Sequence, residues 1–288
     1  MLYDFKICKI GFNIFIIYYF SLSNVSIWKI LLIFALDISR NSDDKSSFCR
    51  CINHIMMKKG FLIYGIAYLL LLMFVVGLLY AYPKLELHLL LNSYHTKLQD
   101  VFFTYYSMLA EGPIYVLGLL PMLWKHIKLT LFFALSELSG GAVLQLLKAL
   151  FDMPRPASAF ENCPDMVLPV VEGVNMHHSN SFPSGHASTF FVFCTCYAIF
   201  LAYHHHSSAR RNGRKSLYMS GFPSLLLLLL AALGAYSRVY LSQHFLSDVC
   251  VGSLIGFITP CLLFYFGKNK ILRLQRHTLT SGQRITSE

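Results

Sequence analysis

The chain has 288 residues, of which 56% are apolar and only 13% charged, with a mean hydropathy of +0.54 and a formal net charge of +10. Soluble domains carry about 25% charged residues, so this composition excludes an ordinary soluble enzyme and describes a membrane protein. The excess positive charge does not mark a nucleic-acid partner, because Lys and Arg fall in short clusters between apolar stretches, the pattern of the positive-inside rule.

In chain order, residues 10–36 are apolar but broken by Asn13, Asn24, Lys29 and several serines. If this stretch spanned a bilayer, Lys6 and Lys9 would lie outside, against the charge rule. No Ala-x-Ala-like cleavage site follows it, so it does not read as a signal peptide. Residues 37–54 are polar and read as a linker. A start at Met56 or Met57 suits the charges as well as a native extension does, so residues 1–56 are set apart as an N-terminal extension.

A bilayer-crossing helix needs about 20 apolar residues. Six stretches supply them: 61–82, 101–124, 129–150, 186–203, 216–237 and 249–267. Continuous apolarity rather than alternation is the signal, which predicts helices and argues against strands. The second stretch contains Glu111 and Pro113, and the third contains Glu137 and Lys148. If all six cross in sequence, Lys58 and Lys59, Lys125 and Lys128, the Arg210, Arg211, Arg214 and Lys215 cluster, and the basic tail at 271–288 share one side. That side is the cytoplasm. The opposite side receives 83–100, 151–185 and 238–248, where basic residues are sparse: Lys84, Lys97, Arg155 and Arg238. Intramembrane carboxylates are costly and often functional. Here hydrogen bonding between helices is the expected role of Glu137, and a helix break the expected setting of Glu111. The eight cysteines show no paired spacing for zinc and no disulfide framework. Cys194, Cys196, Cys250 and Cys261 lie in apolar runs as small hydrophobes. The triplet His204, His205 and His206 reads as an interfacial cytoplasmic loop rather than a metal tract.

Three constellations fall on the sparse face. In Lys148-Ala-Leu-Phe-Asp-Met-Pro-Arg155-Pro156, the prolines end a helix and let Arg155 turn back toward Lys148. Two cations together call for an anion, and the planar guanidinium matches phosphate oxygens. Equally, Lys148 can snorkel and Arg155 be a solvated loop residue. In Pro183-Ser184-Gly185-His186, Ser184 is a favoured N-cap, Gly185 permits close approach, and the helix N-terminus attracts anions. Read alone, it is an ordinary capped helix with a surface histidine. In the third, Ser237-Arg238 is followed by His244 and Asp248, which are four apart and so predicted to share one helix face. Asp248 can fix the tautomer of His244 and leave its other nitrogen free to attack. A plain helical ion pair is the alternative.

Together, in this order, the motifs K-x6-RP, PSGH and SR-x5-H-x3-D resemble the type 2 phosphatidic acid phosphatase superfamily over residues 57–270. The resemblance implies an all-α, polytopic six-helix membrane bundle, with the apolar N-terminal segment as an extra. It implies a phosphatase in which His244 is the nucleophile and forms a phosphohistidine, Asp248 orients it, and His186 protonates the leaving oxygen and then activates water. Lys148, Arg155, Ser184, Gly185 and Arg238 would hold the phosphate, with no metal and no cofactor. The implied partners are the bilayer and a lipid phosphate: undecaprenyl diphosphate, a lipid A phosphate, phosphatidylglycerol phosphate or phosphatidic acid. A lipid phosphotransferase is the nearest alternative, and a vanadate-dependent haloperoxidase a more distant one. From the charge pattern the site is expected to face the periplasm or exterior, and from the compact chain the membrane is expected to be a bacterial inner membrane. Head-group choice is expected to depend on the loop at 157–182. No oligomeric state is specified.

Overall fold

The computed structural model describes residues 59–125, 127–212 and 221–281, and all regular structure among them is helical. The helices are α1 (Lys59–Ala81), α2 (Lys84–Leu91), α3 (Lys97–Met108), α4 (Gly112–Lys125), α5 (Ile127–Phe151), α6 (Pro156–Glu161), α7 (Gly185–Asn212), α8 (Phe222–Tyr240) and α9 (Leu246–Ser281). The N-terminal extension, Arg214 and Lys215, and the end of the basic tail lie outside the described residues. So do the side chains of His204, His205 and His206.

Five of these helices are long and apolar enough to cross a membrane: α1, α5 with its extension into α6, α7, α8 and α9. The stretch at 101–124, expected as a span interrupted by Glu111 and Pro113, is two pieces. α3 ends at Met108, a turn follows through Glu111, and α4 restarts at Gly112. The reason is local. Pro113 lacks an N–H, so it suits the first turn of a new helix and not the interior of an old one.

α7 is the central helix, packed against α9, α8, α5 and α1. In its membrane-crossing stretch 61% of the residues are buried, against 17% for α1 at the periphery. α1 turns its polar aromatics inward. Tyr64 shares a hydrogen bond with Thr195 of α7 (3.1 Å) and Tyr68 with Ser253 of α9 (3.2 Å). Its outer face exposes Leu70, Met73 and Phe74, as lipid contact requires.

The close approach of α9 to α7 depends on the small-residue repeat Gly252-x3-Gly256, a spacing that favours tight helix contact in membranes. A Cβ at Gly252 would collide with the Ser184 carbonyl oxygen, and one at Gly256 with that of Ser188. Gly252→Val should therefore push α9 off the start of α7. We expect a loss of about 1–3 kcal/mol in stability, the usual overpacking cost, together with lost activity. Gly141→Ala, where a Cβ meets nothing within 4 Å, is the control. Equal thermal midpoints for the two variants would refute this packing.

Candidate active site

The site is built where α5, α7, α8 and α9 present their ends. α5 ends at Phe151 and Pro154 prevents its continuation, so the chain turns before restarting α6 with Arg155 as N-cap and Pro156 behind it. Lys148 and Arg155 are both half-buried, and the charges of Arg155 and Arg238 reach Lys148. The Arg155 guanidinium donates from Nε to the Ser179 carbonyl (2.9 Å) and from Nη1 to both the carbonyl and the side-chain Oε1 of Gln243 (3.2 Å each). It thus ties the 157–182 loop to the turn that carries His244.

Ser184 caps α7 as expected. Its side chain accepts from the N–H of Ala187 (3.4 Å), and its own N–H donates to the Asp248 carbonyl (3.0 Å). A Cβ on Gly185 would meet nothing within 4 Å, so open space fronts the helix N-terminus. His186, in the first turn, is half-buried and within electrostatic reach of Arg238, His244, Arg155 and Lys148.

The third motif departs from its expected geometry. His244 and Asp248 do not share a helix face, because α9 begins only at Leu246. His244 sits in the turn after α8, where its N–H and that of Gln243 both donate to the Arg238 carbonyl (3.1 and 3.0 Å). Ser242 takes the left-handed conformation this turn requires (φ 51°) and donates to the Pro169 carbonyl (2.6 Å). Asp248 lies in the first turn of α9, and its Oδ2 accepts from the N–H of Phe245 (3.0 Å) and from the Ser181 hydroxyl. His244 Nδ1 is 3.8 Å from that same oxygen. This is ion-pair range but beyond a hydrogen bond, and Nδ1 has no hydrogen-bond partner among the described residues.

Both residues are buried, His244 to 2% exposure and Asp248 to 1%. Burial, aided by the charges of Arg155 and Arg238, pushes the His244 imidazole down to about 4 against the opposing pull of Asp248. It is therefore neutral at physiological pH, the form that can attack phosphorus. Behind it, the Lys84 ammonium lies 3.9 Å from the centroid of the Phe245 ring, and its charge reaches Asp248. Burial lowers the Lys84 pKa, and Asp248 opposes that shift.

Arg238 donates to Ser107 of α3, while its Nε is buried without a hydrogen-bond partner among the described residues. Among the described residues, none of Lys148, Arg155 and Arg238 forms an ion pair with a carboxylate. Three cations without an ion-paired carboxylate among the described residues, together with a helix N-terminus and a buried neutral imidazole, make a place for a multiply charged anion.

The eight candidate site residues thus lie on chain ends that are tied to one another. Sequence reasoning missed Gln243, Ser181, Ser107, Lys84 and the buried pair His88 and Asn92. Asn92 donates to the Val239 carbonyl (2.9 Å), and His88 Nε2 meets the Ser242 hydroxyl (3.2 Å), so α2 braces the same turn. Glu137 accepts from Thr189 of α7, the expected hydrogen bond between helices. Glu111 is exposed at the α3–α4 break, where its charge reaches Arg238.

The family model of the PAP2 superfamily matches residues 129–272, which include every residue of the three motifs. The chain belongs to the PAP2 superfamily. It is an integral membrane protein and a phosphoric ester hydrolase. Two solved structures are similar. The crystal structure of Aquifex aeolicus LpxE is 28% identical, with 62% of this chain and 93% of that chain covered and a TM-score of 0.46. That of a transmembrane PAP2 type phosphatidylglycerolphosphate phosphatase from Bacillus subtilis is 18% identical, with 73% and 96% covered and a TM-score of 0.49. No curated protein matches the chain.

Proposed function

We propose that the PAP2 domain, residues 57–270, hydrolyses a lipid phosphate monoester or diphosphate through a phosphohistidine on His244. The observation that carries this reading is the set of three cations that form no ion pair with a carboxylate among the described residues, near a buried, neutral His244. Nδ1 of His244 faces Asp248, so Nε2 attacks. A P–N bond forms as the P–O bond to the lipid breaks, and His186 gives its proton to the leaving oxygen. His186 then takes a proton from water, whose oxygen attacks phosphorus. The P–N bond breaks and inorganic phosphate leaves. Lys148, Arg155, Arg238, the Ser184 hydroxyl and the N–H of Gly185 stabilise the charge on the transferring group. Water as acceptor makes the protein a hydrolase rather than a phosphotransferase.

The test is phosphate release by purified protein from a panel of undecaprenyl diphosphate, lipid A phosphate, phosphatidylglycerol phosphate and phosphatidic acid. At least one should be cleaved. Because the pocket repels cations, activity should survive EDTA, and vanadate should block it as a mimic of five-coordinate phosphorus. Strict Mg²⁺ dependence, or no release from any of the four, would refute the reading.

The charge pattern further supports a site facing the periplasm or exterior of a bacterial inner membrane. A cysteine placed at exposed Glu172 should react with a membrane-impermeant reagent on intact cells. Reaction only after permeabilisation would reverse the orientation.

A further inference from the structure

We propose that His177 is a further substrate-contacting residue, an imidazole held over the mouth of the cation cluster that donates to the dianionic phosphoryl group once it is seated. The inference rests on the phosphatase reading above and adds to it a recognition element that none of the three motifs contains.

The loop around His177 has no regular structure, yet its backbone is fixed on both sides of that residue. The Asn175 carbonyl accepts from the Gln243 side chain (2.9 Å), which also approaches the Met176 sulfur (3.5 Å). The His178 carbonyl accepts from the Arg155 N–H (3.0 Å), and the Ser179 carbonyl from the Arg155 guanidinium (2.9 Å). Two site residues therefore grip the chain immediately before and after position 177. The neighbouring imidazole is engaged elsewhere, since His178 Nδ1 lies 3.4 Å from Glu161 of α6. Both rings are exposed, but only His177 is left without such a carboxylate among the described residues. The charges of Arg155 at the start of α6, Arg238 on α8 and Lys148 on α5 reach His177, as does His178 in the loop.

Slight desolvation and these cations lower the His177 pKa, which favours the neutral ring. A seated dianion offsets the cations and lets the ring take up a proton. Binding then gains a charge-assisted hydrogen bond, and affinity rises as pH falls through the histidine range.

Sulfate is the probe, because it is tetrahedral and stays a dianion throughout that range. Its inhibition constant and the lipid-substrate KM and kcat are measured at about pH 6 and about pH 8. His177→Gln should weaken sulfate inhibition about tenfold at the lower pH, the scale of one hydrogen bond to a charged group, and little at the higher. KM should follow the same pattern while kcat changes less. His177→Arg should restore binding at the higher pH and flatten the dependence on pH. His178→Gln, in the same loop, should behave as wild type. A His177→Gln enzyme with wild-type inhibition at both pH values overturns the assignment of His177 alone, as does a His178→Gln enzyme that matches it. Wild-type protein that cleaves no lipid phosphate overturns the phosphatase reading together with it.

Discussion

His244→Ala is expected to abolish phosphoenzyme formation and to lower turnover by a factor on the order of 10⁴ or more, the scale seen when a nucleophile is removed. The fold should tolerate the change. The turn is held by backbone bonds to the Arg238 carbonyl and by Ser242, none of which uses the imidazole. His186→Ala should differ in kind. With an ordinary lipid monoester both steps slow, because protonation of the leaving oxygen and activation of water are each worth about 10²–10⁴-fold. With p-nitrophenyl phosphate the leaving group needs little protonation, so the first step recovers more than the second. A phosphohistidine on His244 should then accumulate. The measurement is acid-labile, base-stable labelling after a rapid quench with radiolabelled substrate. Because His244 stays neutral down to about pH 4, its own protonation should not limit labelling in mild acid. If His244→Ala still labels and His186→Ala never does, the two roles are reversed.

The spans were readable because continuous apolarity needs no tertiary context, and α1, α5, α7, α8 and α9 fall close to the expected stretches. Residues 101–124 were counted among the crossing stretches because average hydropathy is blind to a backbone break, although Glu111 and Gly112-Pro113 already marked the break in the sequence. The motif residues were legible as types at fixed spacings, but the local geometry of His244 and Asp248 was not. A spacing of four fits one helix face, and it fits equally a turn residue followed by an acidic residue whose side chain caps the new helix. Only the left-handed Ser242 and the two N–H groups returning to Arg238 decide between them. Gln243 was invisible because its partners, Arg155 and Asn175, lie far away in the chain. Lys84 and His88 sit on a short helix without any motif, and their relation to Asp248 and Ser242 exists only after folding. The Gly252-x3-Gly256 repeat, by contrast, was available in the sequence and was overlooked.

Replacement of Asp248 should separate catalysis from folding. Its carboxylate joins three parts of the site. Oδ2 accepts from the Ser181 hydroxyl of the loop and from the Phe245 N–H that opens α9, and Oδ1 accepts from Ser247 (3.1 Å). Asp248→Asn keeps this scaffold. The amide oxygen can take the place of Oδ2, and the amide nitrogen can donate to the Ser247 hydroxyl in place of Oδ1. What is lost is the negative charge 3.8 Å from His244 Nδ1. That charge matters most when Nε2 bonds to phosphorus and the ring becomes cationic. We therefore expect phosphoenzyme formation to slow by about 10³–10⁴-fold with a nearly unchanged thermal midpoint. Asp248→Ala should lose the same activity and stability as well, because the Phe245 N–H and Ser181 hydroxyl are left buried without an acceptor, at about 1–3 kcal/mol each. Ser181→Ala removes one donor and keeps the charge, so it should cost far less activity than Asp248→Asn. Rapid-quench labelling and thermal unfolding of the three variants in one detergent provide the comparison. An Asp248→Asn enzyme that labels at the wild-type rate would show that His244 does not depend on this carboxylate.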